Sequence, residues 1–130
     1  MNRALDFVAD SVNPLLALLA LALIIRRRSP GFAAATALGI AGIYIVQAID
    51  RRFAIWSSFG GDYSTHAAFA TSLVLSMAWW FPRLRVGLAV VWMLYMVLIV
   101  AMGYHGMVDV VTAVVVALGV TVPWHLVAKR

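Results

Sequence analysis

VGLAVVWMLYMVLIVAMGYHGMVDVVTAVVVALGVTV, residues 86–122, is the stretch that decides how this chain folds. Two apolar runs flank the short polar step Tyr104-His105-Gly106, and Asp109 is the only formally charged residue in the whole stretch. Each run approaches the ~20 residues that a bilayer-crossing helix needs, and somewhat shorter spans are tolerated. The apolar residues come in blocks rather than in the alternation of a membrane β-barrel. A helix satisfies all its backbone polar groups within its own segment, which lipid demands.

The rest of the chain repeats this pattern. Of 130 residues, 65% are hydrophobic and 12% charged, too little polar surface to cover a soluble core of this size. Apolar runs at 14–25, 31–49 and 66–81 precede those at 86–103 and 107–122. The expected fold is therefore all-α: a polytopic transmembrane helical bundle of about five spans. Asn13 is a plausible N-cap for the first, with Pro14 at its first helical position. Residues 1–13 then form an outer or interfacial segment, unless they continue the helix outward, and residues 14–130 form one transmembrane domain. The start carries Asp6 and Asp10 and no basic-then-apolar order, so it does not read as a cleaved signal peptide. Ala33, Ala34, Ala35, Gly39 and Gly42 suit close helix packing in the second span. The absence of cysteine excludes disulfides, zinc-thiolate sites and a thiol nucleophile.

Charge sets the orientation. The net charge is +5, but Arg26, Arg27, Arg28, Arg83, Arg85, Lys129 and Arg130 flank apolar runs as topology anchors do, which speaks against nucleic acid. These are seven of the ten Lys and Arg residues. With five crossings they share one side, and the positive-inside rule makes that side cytoplasmic. The expected location is a bacterial inner or plasma membrane. The N-terminus, residues 50–65 and the 104–106 turn then face outward, where Arg51 and Arg52 stand out.

Two polar clusters meet on that outer side: Asp50-Arg51-Arg52 with Gly60-Gly61-Asp62-Tyr63-Ser64-Thr65-His66, and Gly103-Tyr104-His105-Gly106-Met107-Val108-Asp109. His105 and Asp109 are four apart, so on a helical turn the carboxylate can accept from the imidazole. Ser64 or Thr65 is the natural N-cap of the third span. The third and fifth spans would aim their N-terminal N–H groups at the site, as anion sites do. Gly60-Gly61 allows a turn or close approach to a ligand, and Arg51 or Arg52 can offer phosphate a forked donor. A positively biased pocket with two histidines and a carboxylate fits phosphoryl transfer. A lone interfacial histidine is more often simply solvated or hydrogen-bonded, which suits His125, and Arg51 and Arg52 can equally contact lipid phosphates.

At these residues the chain resembles the type 2 phosphatidic acid phosphatase superfamily, and most the branch of inositol phosphorylceramide and sphingomyelin synthases. Ser64-Thr65-His66 is similar to its Ser-Gly-His motif, with Thr65 where Gly is usual. Gly61-Asp62 is similar to a Gly-Asp of the sphingomyelin synthases, and His105 through Asp109 is similar to its His-x-x-x-Asp motif. The resemblance covers about residues 50–120 and implies the superfamily's helical core. It implies that His105 attacks phosphorus, that Asp109 orients His105, and that His66 protonates the leaving oxygen and then activates water or an alcohol. It implies no metal and no cofactor. Asp62, Ser64, Thr65, Arg51 and Arg52 would bind the substrate phosphate. The departures are Ile99 where the phosphatases carry Arg, no clean match to the upstream Lys…Arg-Pro motif, and five spans instead of six. The expected substrate is a lipid phosphate met among membrane lipids at the outer face. The alternatives are a degenerate lipid-phosphate-binding subunit or a small transporter or proton relay. The missing span points to a homodimer or a partner membrane subunit.

The orientation has a direct test, since no native cysteine interferes. Asp62→Cys should react with an impermeant maleimide from outside intact cells, and Arg83→Cys only after permeabilisation. Labelling of both from one side would overturn the five-crossing parity.

Overall fold

The computed structural model describes residues 3–129. Residues 1 and 2 of the N-terminal segment and Arg130 of the basic tail lie outside the described residues. Five α-helices follow one another: α1 Arg3–Arg27, α2 Pro30–Phe53, α3 Thr65–Trp80, α4 Arg85–Ala101 and α5 Met107–Ala128. Single 3-10 turns at Ser57–Phe59 and Pro82–Leu84 interrupt the connections before α3 and α4.

Several helices outrun their expected ends. α1 passes unbroken through Pro14, so Asn13 is not an N-cap; its amide Nδ2 instead donates to the His66 carbonyl at 3.3 Å. α2 extends a turn past residue 49 and carries Asp50, Arg51 and Arg52 on its last turn. Ala54 closes it in the left-handed region, at φ 54°. α5 does not close at Pro123 but continues to Ala128, and the turn beyond the proline buries His125 against α3. Local capping decides two starts, and the one at Ser64 is as expected. Ser29 caps α2 by accepting from the Phe32 N–H, with Pro30 at the first position. Ser64 caps α3 by accepting from the Ala67 N–H.

The helices run up and down, and α3 is the axis. It packs against all four others and buries residues on every side, from Ala67 and Ala68 to Ser76 and Met77. A helix enclosed on all sides needs no polar stripe, and its Ala, Ser and Thr residues let neighbours approach closely. α2 supplies the matching small residues. A Cβ added to Gly39 would lie 3.0 Å from Ser72 Oγ and from Thr121, and one on Gly42 would lie 3.0 Å from Val120 Cβ. Ala35 is buried with them, whereas Ala34 faces outward. Polar side chains in this interior pair across helices: Ser72 with Thr121 at 3.0 Å, Trp92 Nε1 donating to Thr71 Oγ1 at 2.8 Å, and Ser76 with His125 Nε2 at 2.8 Å. Trp80 Nε1 donates to His125 Nδ1, so the ring's proton sits on Nε2 and points at Ser76. His125 is hydrogen-bonded and fully buried.

Among the described residues four helices are long and apolar enough to cross a membrane: α1, α2, α5, and α4 together with its preceding turn. Their outward faces are apolar at mid-helix, as at Leu18 (62% exposed), Leu94 (65%) and Val115 (62%). Water would penalise that surface at ~25 cal/mol per Å², whereas lipid does not. The chain is built as a membrane protein.

Gly39→Val should cost about 1–3 kcal/mol through overpacking, read as a lower thermal midpoint in detergent. Gly119→Ala, whose new Cβ would meet nothing within 4 Å, should be neutral or raise the midpoint, because Gly in a helix costs ~0.5–1 kcal/mol relative to Ala. Equal shifts in the two variants would refute close packing at Gly39.

Candidate functional site

The two polar clusters do meet at one end of the bundle. The 54–64 connection is stiffened first from α2: Asp50 Oδ1 accepts from the Trp56 N–H at 2.8 Å. Trp56 then donates from Nε1 to Thr112 Oγ1 on α5 at 2.8 Å and sits edge-on to Tyr63, with centroids 4.8 Å apart. Gly60, at φ 79°, reverses the chain. Burial, reinforced by the charge of Asp50, pushes the Tyr63 phenol up to about 12, so it stays neutral.

Asp109 joins this connection to the turn between α4 and α5. Its Oδ1 accepts from the Asp62 N–H at 2.9 Å and its Oδ2 from the Gly106 N–H at 2.9 Å. This corrects the expected His105–Asp109 hydrogen bond. His105 lies in the turn before α5 rather than on a helix, and two backbone donors occupy the carboxylate. Gly61 is therefore required by Asp109 rather than by a ligand: a Cβ there would lie 2.6 Å from Oδ1. The acid beside His105 is Asp62, with Oδ2 3.6 Å from Nδ1, beyond hydrogen-bonding range but within that of an ion pair. Nδ1 is buried and has no hydrogen-bond partner among the described residues, which leaves Nε2 as the nitrogen open to the site.

His66 and His105 border the same space. A hollow of about 340 Å³ is lined by both rings with Asp10, Asp62, Ile99 and Tyr104. An adjoining one of about 370 Å³ is lined by both rings with Gln47, Arg51, Asp62 and Thr65. A third, of about 320 Å³, continues from Thr65 and His66 between α1, α2 and α3, past Ala17, Tyr44 and Phe69. That passage runs from His66 toward the exposed side chain of Tyr44.

The remaining site residues divide. Arg51 lines the cavity, whereas Arg52 stacks over Phe53, 5.7 Å from its ring centroid. Thr65 lines it and accepts from Gln47 Nε2 at 2.6 Å. The Ser64 side chain is fully buried and caps α3, so it offers nothing to a ligand. The lining is not positively biased as expected. Arg51 is its one fixed cation, against Asp10, Asp50 and Asp62. Among the described residues no three His or Asp side chains gather as metal ligands would.

Three contributors escaped sequence reasoning. Gln47 is the only amide in the apolar run of α2, and a lone amide within a membrane helix is itself a signal. Asp6 and Asp10 are an i,i+4 pair once α1 is extended through them. Asp6 accepts from the Tyr104 hydroxyl at 2.7 Å, and that bond, ahead of burial and nearby acids, raises the Tyr104 phenol to about 12. No family model, curated protein or solved structure matches the chain.

Gly61→Ala and Asp109→Ala should each destabilise the protein, by about 1–3 kcal/mol for the lost charge-assisted hydrogen bonds. Together they should cost clearly less than their sum, because removing the carboxylate removes the group that the added methyl would strike. Additive losses in thermal unfolding would refute the contact.

Proposed function

We propose that this cavity performs phosphoryl transfer on a lipid phosphate, with His105 as nucleophile and His66 as general acid and then base. The observation that carries the reading is that two imidazoles from distant parts of the chain border one cavity beside Arg51. His105 Nε2 attacks phosphorus, and the bond from phosphorus to the lipid-side oxygen breaks. That oxygen takes a proton from the His66 imidazolium. Neutral His66 then draws a proton from water or an alcohol, whose oxygen attacks the phosphohistidine and frees His105. Asp62, facing Nδ1, takes the orienting role that the resemblance would give Asp109, while Asp109 fixes the loop that carries Asp62.

A lipid substrate suits the passage past Tyr44 and Phe69, which gives a tail a way out while its phosphate stays at the histidines. In this reading the chain is a member of the type 2 phosphatidic acid phosphatase superfamily, near its synthase branch. α3 serves as the fifth crossing, and the histidine end faces outward. A specific observation favours a second reading, a lipid-phosphate-binding subunit without turnover: Ile99 lines the cavity where the phosphatases carry Arg, which leaves one cation against three carboxylates.

The test follows phosphate release and exchange on lipid phosphates by the purified protein. His105→Ala should abolish both, and His66→Ala should lose about 10²–10⁴-fold, the usual share of general acid–base catalysis. Asp62→Asn and Asp109→Asn should lose activity in part. An acid-labile phosphate should be trapped on the wild type and not on His105→Ala. Activity that survives His105→Ala would remove the nucleophile, and binding without turnover would establish the second reading.

A further inference from the structure

The end of the bundle opposite the histidines carries a second feature. The C-terminal carbonyls of α3 are capped there by three cations. Arg27 donates from Nη1 to the Trp80 carbonyl at 3.4 Å, Arg85 from Nε to the Ala78 carbonyl at 3.0 Å, and Lys129 from Nζ to the Trp79 carbonyl at 3.2 Å. Basic groups at a helix C-terminus also meet the negative end of its dipole. This accounts for three of the basic residues but not for Arg26 and Arg83. Both are exposed, and among the described residues neither side chain has a hydrogen bond or an ion pair.

Arg26 and Arg83 stand at the mouth of a groove. Between α1 and α4 runs a hollow of about 460 Å³, walled by apolar side chains such as Leu16, Leu88 and Val91. It adjoins a second of about 620 Å³ lined by Arg26, Arg27, Trp80 and Phe81. Leu19, Arg83 and Leu84 border both, so the two form one groove, apolar in its depth and cationic at its opening. The 3-10 turn Pro82–Leu84 lies along its wall, and Gly87 leaves it wide: a Cβ there would meet nothing within 4 Å. Arg27 is held in place by stacking over Trp80 and Phe81, 5.2 and 5.4 Å from their centroids. From Leu16 to Arg26, α1 rises about 15 Å, which matches one leaflet of a hydrocarbon core about 30 Å thick.

We propose that this groove binds one anionic glycerophospholipid, with its phosphate between Arg26, Arg27 and Arg83 and an acyl chain lying along Leu19, Leu88 and Val91. Charge complementarity selects this occupant. Asp6, Asp10, Asp50, Asp62 and Asp109, the chain's only acidic residues, belong to the histidine end. Among the described residues no Asp or Glu side chain is there to neutralise the three guanidiniums. A second copy in the same orientation would bring its own arginines to the same depth. A zwitterionic lipid would bring a cation with its phosphate, whereas an anionic one matches both the charge and the apolar depth. Basic pockets between membrane helices are known to take anionic headgroups in this way.

The experiment titrates the purified full-length chain in neutral detergent with phosphatidylglycerol, phosphatidylcholine or inorganic phosphate. It follows the thermal midpoint, which rises with any ligand that binds only the folded state, and lipid retention by native mass spectrometry. Phosphatidylglycerol should give a saturable rise and one retained lipid, and the other two probes neither. Arg26→Gln with Arg83→Gln should weaken that binding by at least about tenfold. Gly87→Leu fills the groove without touching the arginines and should abolish retention. His66→Ala and His105→Ala should leave it intact, which separates this site from the histidine cavity. An equal rise with phosphatidylcholine would overturn the proposal, as would a rise with inorganic phosphate alone. So would retention that survives Gly87→Leu, or retention lost in the histidine variants.

Discussion

The carboxylate of Asp109 sits where two loops have to meet, and the geometry of the histidine end depends on it. One oxygen takes the N–H of Asp62 and the other the N–H of Gly106. Hydrogen bonds to a charged acceptor contribute roughly 1.5–3 kcal/mol each, enough to fix the register of the two segments. The consequence travels in both directions. Through Gly106 it sets the turn that presents His105, and through Asp62 it sets the carboxylate that faces His105. Gly61 is the space that this arrangement needs, since any side chain there would strike Oδ1.

Beneath that clasp, the bundle holds together by close approach rather than by expulsion of water. Lipid gives apolar helices no hydrophobic reason to associate, so α2, α3 and α5 meet through Gly39, Ser72 and Thr121, with hydroxyls bonded across the interface. The two ends of the bundle are then sorted by charge. Carboxylates gather where backbone N–H groups and histidines need acceptors, and cations gather where the C-terminus of α3 presents its carbonyls. Three of the basic residues that the sequence offers as topology anchors, Arg27, Arg85 and Lys129, also complete the C-terminal end of α3.

Much of this was legible in the sequence where one force dominates. Apolar run length located the helices, and Ser64 marked the start of α3 because local capping decides it. The misreadings arose where tertiary contacts outweighed local rules. Pro14 and Pro123 each remove a backbone donor and crowd the preceding turn, yet the helices continue through them, with Asn13 and His125 bonded to α3. The i,i+4 rule failed at His105 because it assumes a helix already formed at that position, and two nearby N–H groups compete better for Asp109. Arg52 and Ser64 were sound candidates by residue type. One stacks on its neighbour and the other is consumed as a cap, and no spacing rule distinguishes those fates in advance.

The charge balance of the cavity carries the remaining step. With Ile99 in its wall and three carboxylates along its lining, Arg51 alone cannot offset the charge of a bound phosphate. In the proposed chemistry the imidazolium of the general acid, His66, adds a second positive charge beside the phosphate, so that this histidine binds as well as reacts. His66 stands exposed at the first turn of α3, where water or an alcohol can reach it. His105 is suited to attack, because its Nδ1 is buried against Asp62 and only its other nitrogen is free. The two rings therefore have different environments although they border one cavity, and in the proposed chemistry such asymmetry separates the nucleophile from the acid.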